Sequence, residues 1–338
     1  MTRLAPSPTG ALHLGNARTF LINHLLAVCG GWRVVLRVED LDGPRVKKGA
    51  AEAMLDELAW LGLSWSGPPV YQSARHGAYL AALRRLVEGG WAYPCTCSRK
   101  DVQLAASAPH AEDAAGAYPG TCRPKNANVA AGAAPGALAA SLPEGWPPQW
   151  PVPSSESFRP SRRPAWRVRV PDGPVAFDDR FAGPQSFDLA RTCGDFVVFK
   201  NDGLAAYQLA VVVDDCGAGV DAVVRGDDLL ESAARQIHLR RLLGLGPQPQ
   251  YWHLPLVVGP DGRRLAKRHG DTRLGRYRAL GVRPQRILGL LGFWSGLLDT
   301  RREAPMEELA ERFDTSRIPP RPVVFSAEDE AFLAGGRR

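Results

Sequence analysis

Residues 6–16 read PSPTGALHLGN, a loop joining a short strand candidate, residues 2–5, to the helical-periodic run HLGNARTFLINHLLAVCGG of residues 13–31. Pro6 and Pro8 stiffen this loop, and Gly10 and Gly15 leave out the Cβ that would keep a ligand off the backbone. The run that follows sets Ala17, Phe20, Leu21, His24, Leu25 and Val28 on one helical face before Gly30 and Gly31 end it. A helix N-terminus carries unpaired N–H groups and the positive end of the helix dipole. His13 and Asn16, three residues apart in the first turn, point with those groups at a phosphate. On this stretch alone an ordinary strand-to-helix turn with a polar cap is an equal reading.

Outward from the loop the order is strand, helix, strand, helix: WRVVLRVED (residues 32–40) is β-rich, and residues 46–63 form an amphipathic helix. That order predicts a parallel α/β sheet, whose ligands bind beyond the carboxyl ends of the strands, where the opening loop lies. From Leu104 to Pro164 the composition changes to Ala, Pro, Gly and Ser with little periodicity, which predicts a mobile insertion. WRVRV (166–170), VAFDDRF (175–181) and DFVVFKNDGLAAYQLAVVVDD (195–215) turn β-like again, with a turn at Asn201, Asp202 and Gly203. The sheet is expected to resume at Val211–Val213 and at AVVRG (222–226), and ESAARQIHLRRLLG (231–244) is a helix. Beyond residue 270 the chain turns helical and basic.

At 338 residues and 45% apolar content, two or three globular modules are expected. A net charge of +7 suits a polyanionic partner if it is gathered on one face. Between Arg263 and Arg286 nine lysines and arginines stand against Asp271 alone, a stretch able to track an RNA backbone, with a solvated helix face as its rival. No secretory signal opens the chain, and FLINHLLAV is too short to span a bilayer, so a cytoplasmic location is expected.

Of the six cysteines, Cys95, Cys97 and Cys122 fall with Tyr118 in YPCTCSRK and AYPGTCR. Three thiolates and a phenolate make a tetrahedral site, and thiolate selects zinc; three buried inert cysteines are the alternative. Cys29, Cys193 and Cys216 lack such company and are expected in the core. His24, His238 and His253 sit in apolar contexts, where a packed imidazole is the common case, and receive no role.

A second loop, GPDGRRLAKRHG (residues 259–270), sets Arg264, Lys267 and Arg268 beside glycines, cations able to close over a triphosphate and offset charge at its α-phosphate. RLAPSPTGALHLGNAR together with the distant RLAKR resembles the class I glutamyl-tRNA synthetase family, with HLGN as its HIGH-type and RLAKR as its KMSKS-type signature. AAYQLAVVVDD, VVRGDDLL, the C-x-C and Y-x-x-x-C pair and a short C-terminus resemble the queuosine-directed branch of that family more closely.

The resemblance implies an α/β fold: a Rossmann-like class I catalytic domain, an inserted zinc-binding, acceptor-type module and a small C-terminal helical domain. The halves of the catalytic domain are expected at residues 1–94 and 206–262, the insertion at 95–205, and the signature loop with the helical end at 263–338, with no anticodon-binding domain. By the same resemblance Arg3, Ser7, Glu39, Tyr207 and Arg225 bind glutamate. Arg225 can fork onto a carboxylate and Glu39 can take an ammonium group; an internal ion pair of Arg3 with Glu39 is the alternative. His13, Gly15, Asn16, Arg264, Lys267 and Arg268 bind ATP, with His13, Asn16 and Lys267 catalytic, and Cys95, Cys97, Tyr118 and Cys122 hold one structural zinc.

The chain departs from the family pattern in Arg264 for the first signature lysine and Arg268 for the final serine, which keeps the charge. Val211 replaces an asparagine and Leu229 a tryptophan; both agree with the queuosine-directed branch and reshape the amino acid pocket. The implied activity is ATP- and magnesium-dependent activation of glutamate as the adenylate without tRNA, then transfer to the queuosine base in the anticodon loop of tRNA(Asp), by a monomer. The rivals are a truncated synthetase that charges a tRNA 3′ end and an inactive nucleotide- or RNA-binding paralogue; intact His13, Gly15, Lys267, Arg3, Glu39 and Arg225 argue against the last.

Overall fold

The computed structural model describes residues 1–8, 11–41, 46–98, 100–102, 117–124, 163–263, 265 and 271–335. Gly10, most of the Ala- and Pro-rich segment, and Arg264, Lys267 and Arg268 lie outside the described residues. In chain order the strands are β1 (Thr2–Leu4), β2 (Val34–Val38), β3 (Val70–Tyr71), β4 (Ala92–Cys95), β5 (Ala165–Val168), β6 (Val175–Asp179), β7 (Gly183–Phe187), β8 (Phe196–Phe199), β9 (Ala222–Gly226), β10 (Gln250–Leu254), β11 (Val257–Val258) and β12 (Val323–Val324). The helices are α1 (Leu14–Cys29), α2 (Ala50–Trp60), α3 (His76–Glu88), α4 (Leu189–Thr192), α5 (Tyr207–Gly217), α6 (Leu230–Leu242), α7 (Leu274–Ala279), α8 (Pro284–Trp294), α9 (Met306–Glu311) and α10 (Ala327–Ala334).

β1, β2 and β3 pair in parallel, and a second sheet runs β7-β6-β10-β9 with β6, β10 and β9 parallel and β7 returning as a hairpin. The Met1 carbonyl accepts the N–H groups of Asp221 and Ala222, each at 3.1 Å, which seats β1 beside β9 and joins the two sheets edge to edge. The carboxyl ends of β1, β2, β9 and β10 therefore open on one side, where such sheets take their ligands. β4, β5 and β8 form a separate antiparallel sheet.

Two expectations fail here. Val211–Val213 lie within α5, whose Leu209, Ala210, Val211 and Val212 are all buried. Packing against neighbours on several sides overrides the weak helix propensity of β-branched residues. Cys29 is exposed and Val28 is 54% exposed, because the last turn of α1 packs Leu26 and Ala27 inward and turns these two residues to solvent. Of the face expected for this helix Ala17, Leu21, His24 and Leu25 are buried, joined by Leu14, Ile22, Leu26 and Ala27. Cys193 and Cys216 are half-buried rather than core residues.

One hydrophobic core takes side chains from β1, β2, α1 and α2 together with Val257, Leu265 and the C-terminal helices. Leu290 and Leu291 of α8 are fully buried in it, and truncating either to alanine costs about 2–5 kcal/mol. This shared core fixes the segment after the signature loop against the opening loop. A second core gathers α3, α5, α6 and the antiparallel sheet. Among the described residues no helix is long and apolar enough to cross a membrane.

Candidate active site

A cavity of about 490 Å³ opens at the carboxyl edge of the joined sheets, lined by Arg3, Ser7, His13, Gly15, Asn16, Glu39, Tyr207 and Arg225. Every described residue expected to hold glutamate or ATP thus lines one space. Arg3 comes from β1, Glu39 follows β2, Arg225 stands on β9 and Tyr207 opens α5. The Glu39 N–H donates to the Pro6 carbonyl at 3.0 Å, tying β2 to the opening loop. His13 occupies the N-cap of α1 in extended backbone, with no side-chain cap bond, and Asn16 sits in the first turn. A Cβ on Gly15 would lie 3.2 Å from His13 Nδ1, so the missing side chain also gives the imidazole its room.

The described chain flanking the far signature is tied to this side by main-chain bonds. Leu14 N–H donates to the Thr272 carbonyl at 3.1 Å and Leu274 N–H to the Leu12 carbonyl at 2.9 Å, while the buried Leu265 donates to Val257 at 3.2 Å. Residues 272–274 are thus held beside His13, and Leu265 beside Val257 of the cavity wall.

Beneath the cavity lies a charge network that the sequence did not reveal. Asp215 is buried and pairs with Arg37 Nη1 and, at 3.4 Å, with Arg3 Nε; Arg37 Nη2 reaches Glu39 Oε1 at 3.0 Å. Arg3 and Glu39 therefore do not form the internal pair that was their alternative reading; each is matched elsewhere. Burial works against the Asp215 carboxylate, but Arg37 and Arg3 outweigh it and hold its pKa below the ordinary value. For Glu39 the balance reverses: burial outweighs Arg37 and raises its pKa. An arriving ammonium group would favour the Glu39 carboxylate. Burial lowers the pKa of Arg3, with Asp215 opposing.

Arg225 is 5% exposed and has no carboxylate among its hydrogen-bond partners: Nη1 donates to Gln236 Oε1 at 2.9 Å, Nη2 to the Leu229 carbonyl at 3.3 Å and Nε to His253 Nε2 at 2.9 Å. His253, which received no role from sequence, is fully buried with Nδ1 2.6 Å from Asp179 Oδ2. The signals for these partners existed in RVED, VVVDD and VAFDD, but only strand order shows which arginine meets which acid. Of the two pocket departures, Leu229 lines the cavity, whereas Val211 is buried in α5 and does not.

Cys95, Cys97 and Cys122 gather with their sulfurs within 4.8 Å of one another. Cys97 and Cys122 are 3.5 Å apart, and the Tyr118 hydroxyl lies 3.4 Å from Cys95 Sγ and 3.9 Å from Cys97 Sγ. Tetrahedral zinc with bonds of about 2.3 Å to sulfur sets sulfurs about 3.8 Å apart, so the donor set fits the ion. Arg167 donates to Cys95 Sγ at 3.3 Å and lies over the Tyr118 ring at 3.7 Å, offsetting thiolate charge. Tyr118 reaches the cluster because Gly194, at φ +63°, passes so close that a Cβ would stand 2.4 Å from the Tyr118 carbonyl oxygen.

The basic stretch behaves differently. Arg273 pairs with Asp271, Arg276 with Glu330 at 3.1 Å, Arg278 with Asp56 at 2.5 Å, and Arg283 and Arg286 share Glu303 at 2.6 and 3.2 Å. Carboxylates remote in sequence thus pair with Arg276, Arg278, Arg283 and Arg286 of that stretch.

The profile of tRNA synthetases class I (E and Q), catalytic domain, matches residues 1–129 and 155–329. The glutamyl-Q tRNA(Asp) synthetase of Symbiobacterium thermophilum is 45% identical over 99% of this chain and 98% of its own, and that of Rhodopirellula baltica is 42% identical over 95% of each. A glutamate tRNA ligase from Elizabethkingia meningosepticum, solved in complex with its amino acid, superimposes with a TM-score of 0.76 at 25% identity, covering 98% of this chain and 68% of its own. Cavity, strand order and relatives agree, and the chain belongs to the class I synthetases for glutamate and glutamine and, within them, to the glutamyl-Q tRNA(Asp) synthetase family.

Proposed function

We propose that this protein activates glutamate with ATP, in the absence of tRNA, and transfers the glutamyl group to the queuosine base in the anticodon loop of tRNA(Asp). The observation that carries the chemistry is the convergence of Arg3, Glu39 and Arg225 with His13 and Asn16 on one cavity. Arg225 forks onto a glutamate carboxylate, Glu39 takes the ammonium, and Arg3, Ser7 and Tyr207 complete the wall. One oxygen of the α-carboxylate attacks the α-phosphorus of ATP, and pyrophosphate leaves with the broken P–O bond. A queuosine hydroxyl then attacks the mixed anhydride, its proton is lost and AMP departs. His13, Asn16, Lys267, Arg264 and Arg268 bind the phosphates and offset their charge, and magnesium carried in with ATP would add to that charge stabilisation. The acceptor comes from relatives at 40–45% identity whose names specify tRNA(Asp).

Zinc held by Cys95, Cys97, Tyr118 and Cys122 supplies a structural cross-link between residues 95–97 and 118–122. The division at residues 1–94, 95–205, 206–262 and 263–338, a monomeric state and a cytoplasmic location belong to the same reading.

Radiolabelled glutamate offered with tRNA(Asp) from cells that make queuosine and from cells that cannot tests the acceptor. Label should require queuosine and survive enzymatic trimming of the 3′ end. Label that ignores queuosine or leaves with the 3′ adenosine replaces this reading with 3′-end charging. Reduced, purified protein should carry one zinc per chain, and Cys97→Ser should lower stability more than glutamate affinity.

A further inference from the structure

We propose that His253 and Asp179 are positioning residues for Arg225, a relay that presents the guanidinium to the carboxylate of the amino acid. The inference rests on the glutamate reading of the cavity and adds two side chains that do not line it. β10 lies between β9 and β6; His253 stands opposite Arg225 in one pairing, and Tyr251 stands opposite Asp179 in the other. Three neighbouring strands thus set acid, imidazole and guanidinium in a row.

The proton positions follow from donor and acceptor chemistry. Arg225 Nε can only donate, so His253 Nε2, 2.9 Å away, accepts. The ring proton then resides on Nδ1, where Asp179 Oδ2 receives it at 2.6 Å. Asp179 is itself fixed: its Oδ1 accepts the N–H groups of Phe181 at 2.9 Å, Ala182 at 2.7 Å and His253 at 3.2 Å. All three relay residues are buried, His253 completely.

The arrangement decides what Arg225 has left to give. A guanidinium carries five N–H groups. Nε uses one on His253, Nη1 one on Gln236 and Nη2 one on the Leu229 carbonyl, which leaves one on each terminal nitrogen, the pair a carboxylate accepts side by side. Without the His253 acceptor, the buried Nε–H loses its partner and the guanidinium turns to recover one, taking the fork off axis.

Two variants separate a relay from mere packing. Glutamine in His253→Gln carries an acceptor oxygen to about the place of Nε2, whereas asparagine in His253→Asn reaches only the place of Nδ1 and withdraws the acceptor. In ATP–pyrophosphate exchange His253→Asn should raise KM for glutamate about 10-fold or more, with kcat within about 2-fold and KM for ATP unchanged, and His253→Gln should restore most of the loss. A folded His253→Asn protein with near-normal KM for glutamate overturns the relay. The unaltered protein supplies a second measurement that does not depend on the variants folding. ¹⁵N-histidine spectra should show Nδ1–H and unprotonated Nε2 for His253 between about pH 6 and 8, and an Nε2–H tautomer overturns the proposal. Wild-type protein with the expected tautomer but no glutamate-dependent exchange refutes the glutamate reading and leaves the relay on Arg225 standing.

Discussion

Two arginine-rich regions of this chain meet at His13, and they use the same side chain in opposite ways. In and beneath the cavity Arg3, Arg37 and Arg225 are each at most 5% exposed, and one carboxylate, Asp215, pairs with two of them. In α7 and at the start of α8 the side chains of Arg276, Arg278 and Arg283 are 30%, 40% and 58% exposed and pair with Glu330, Asp56 and Glu303. The β-bridge of His13 with Arg273 joins the two regions. Water makes the difference. A charge taken out of water must be matched where it stands, at several kcal/mol if it is not, whereas an exposed pair contributes about 0–1 kcal/mol. Arginines are densest in the exposed region, but the guanidinium that lines the cavity with only neutral hydrogen-bond partners is the buried Arg225.

The hardest blow to this contrast is Asp215→Asn. It leaves two buried guanidinium groups without their shared counter-charge and should cost about 3–5 kcal/mol of stability, read as a fall in melting temperature of roughly 4–7 °C. Because Arg37 and Arg3 depress the Asp215 pKa, its contribution is present above the unfolded carboxylate value and is lost as pH falls through the depressed one. The variant should lack that part of the acid transition, and an unchanged melt would show that the buried network is not held by Asp215.

Next come the groups at the junction. His13→Ala and Lys267→Ala should each lower glutamate activation by roughly 10²-fold, the range for loss of a positioned charge stabiliser, with little change in melting temperature. Near-normal exchange rates in both would remove them from the mechanism.

A smaller effect belongs to Glu39, whose pKa burial raises. Ammonium binding favours its ionised form, so KM for glutamate should rise as pH falls through that raised value while KM for ATP holds. A flat pH profile for glutamate, or one shared with ATP, would assign the ammonium to another group.

The least effect is expected at Arg283→Ala, whose partner Glu303 keeps Arg286. Stability should change by no more than about 1 kcal/mol and less at high salt, with glutamyl transfer to RNA unchanged. A clear loss of transfer would restore the phosphate-track reading of residues 263–286 and erase the contrast between the regions.

By itself the sequence determined the opening unit and the parallel α/β class, and its resemblance to the family implied the described residues that line the cavity. Each of these is local: proline and glycine set the loop's backbone, apolar periodicity sets the helix, and a motif keeps its spacing wherever it sits. It also placed Cys95, Cys97, Tyr118 and Cys122 together, since each half of that set is a few residues long. Tertiary structure alone decided the partners. Arg37 with Asp215, His253 with Arg225 and Arg283 with Glu303 join residues that share no local pattern, because strand order and helix packing choose them. For the same reason periodicity misread Val211–Val213 as a strand, and a charge count over residues 263–286 did not show the carboxylates that pair with the distal arginines. Burial on every side hides a helix's period, and an ion pair across a fold leaves no mark on the neighbouring sequence.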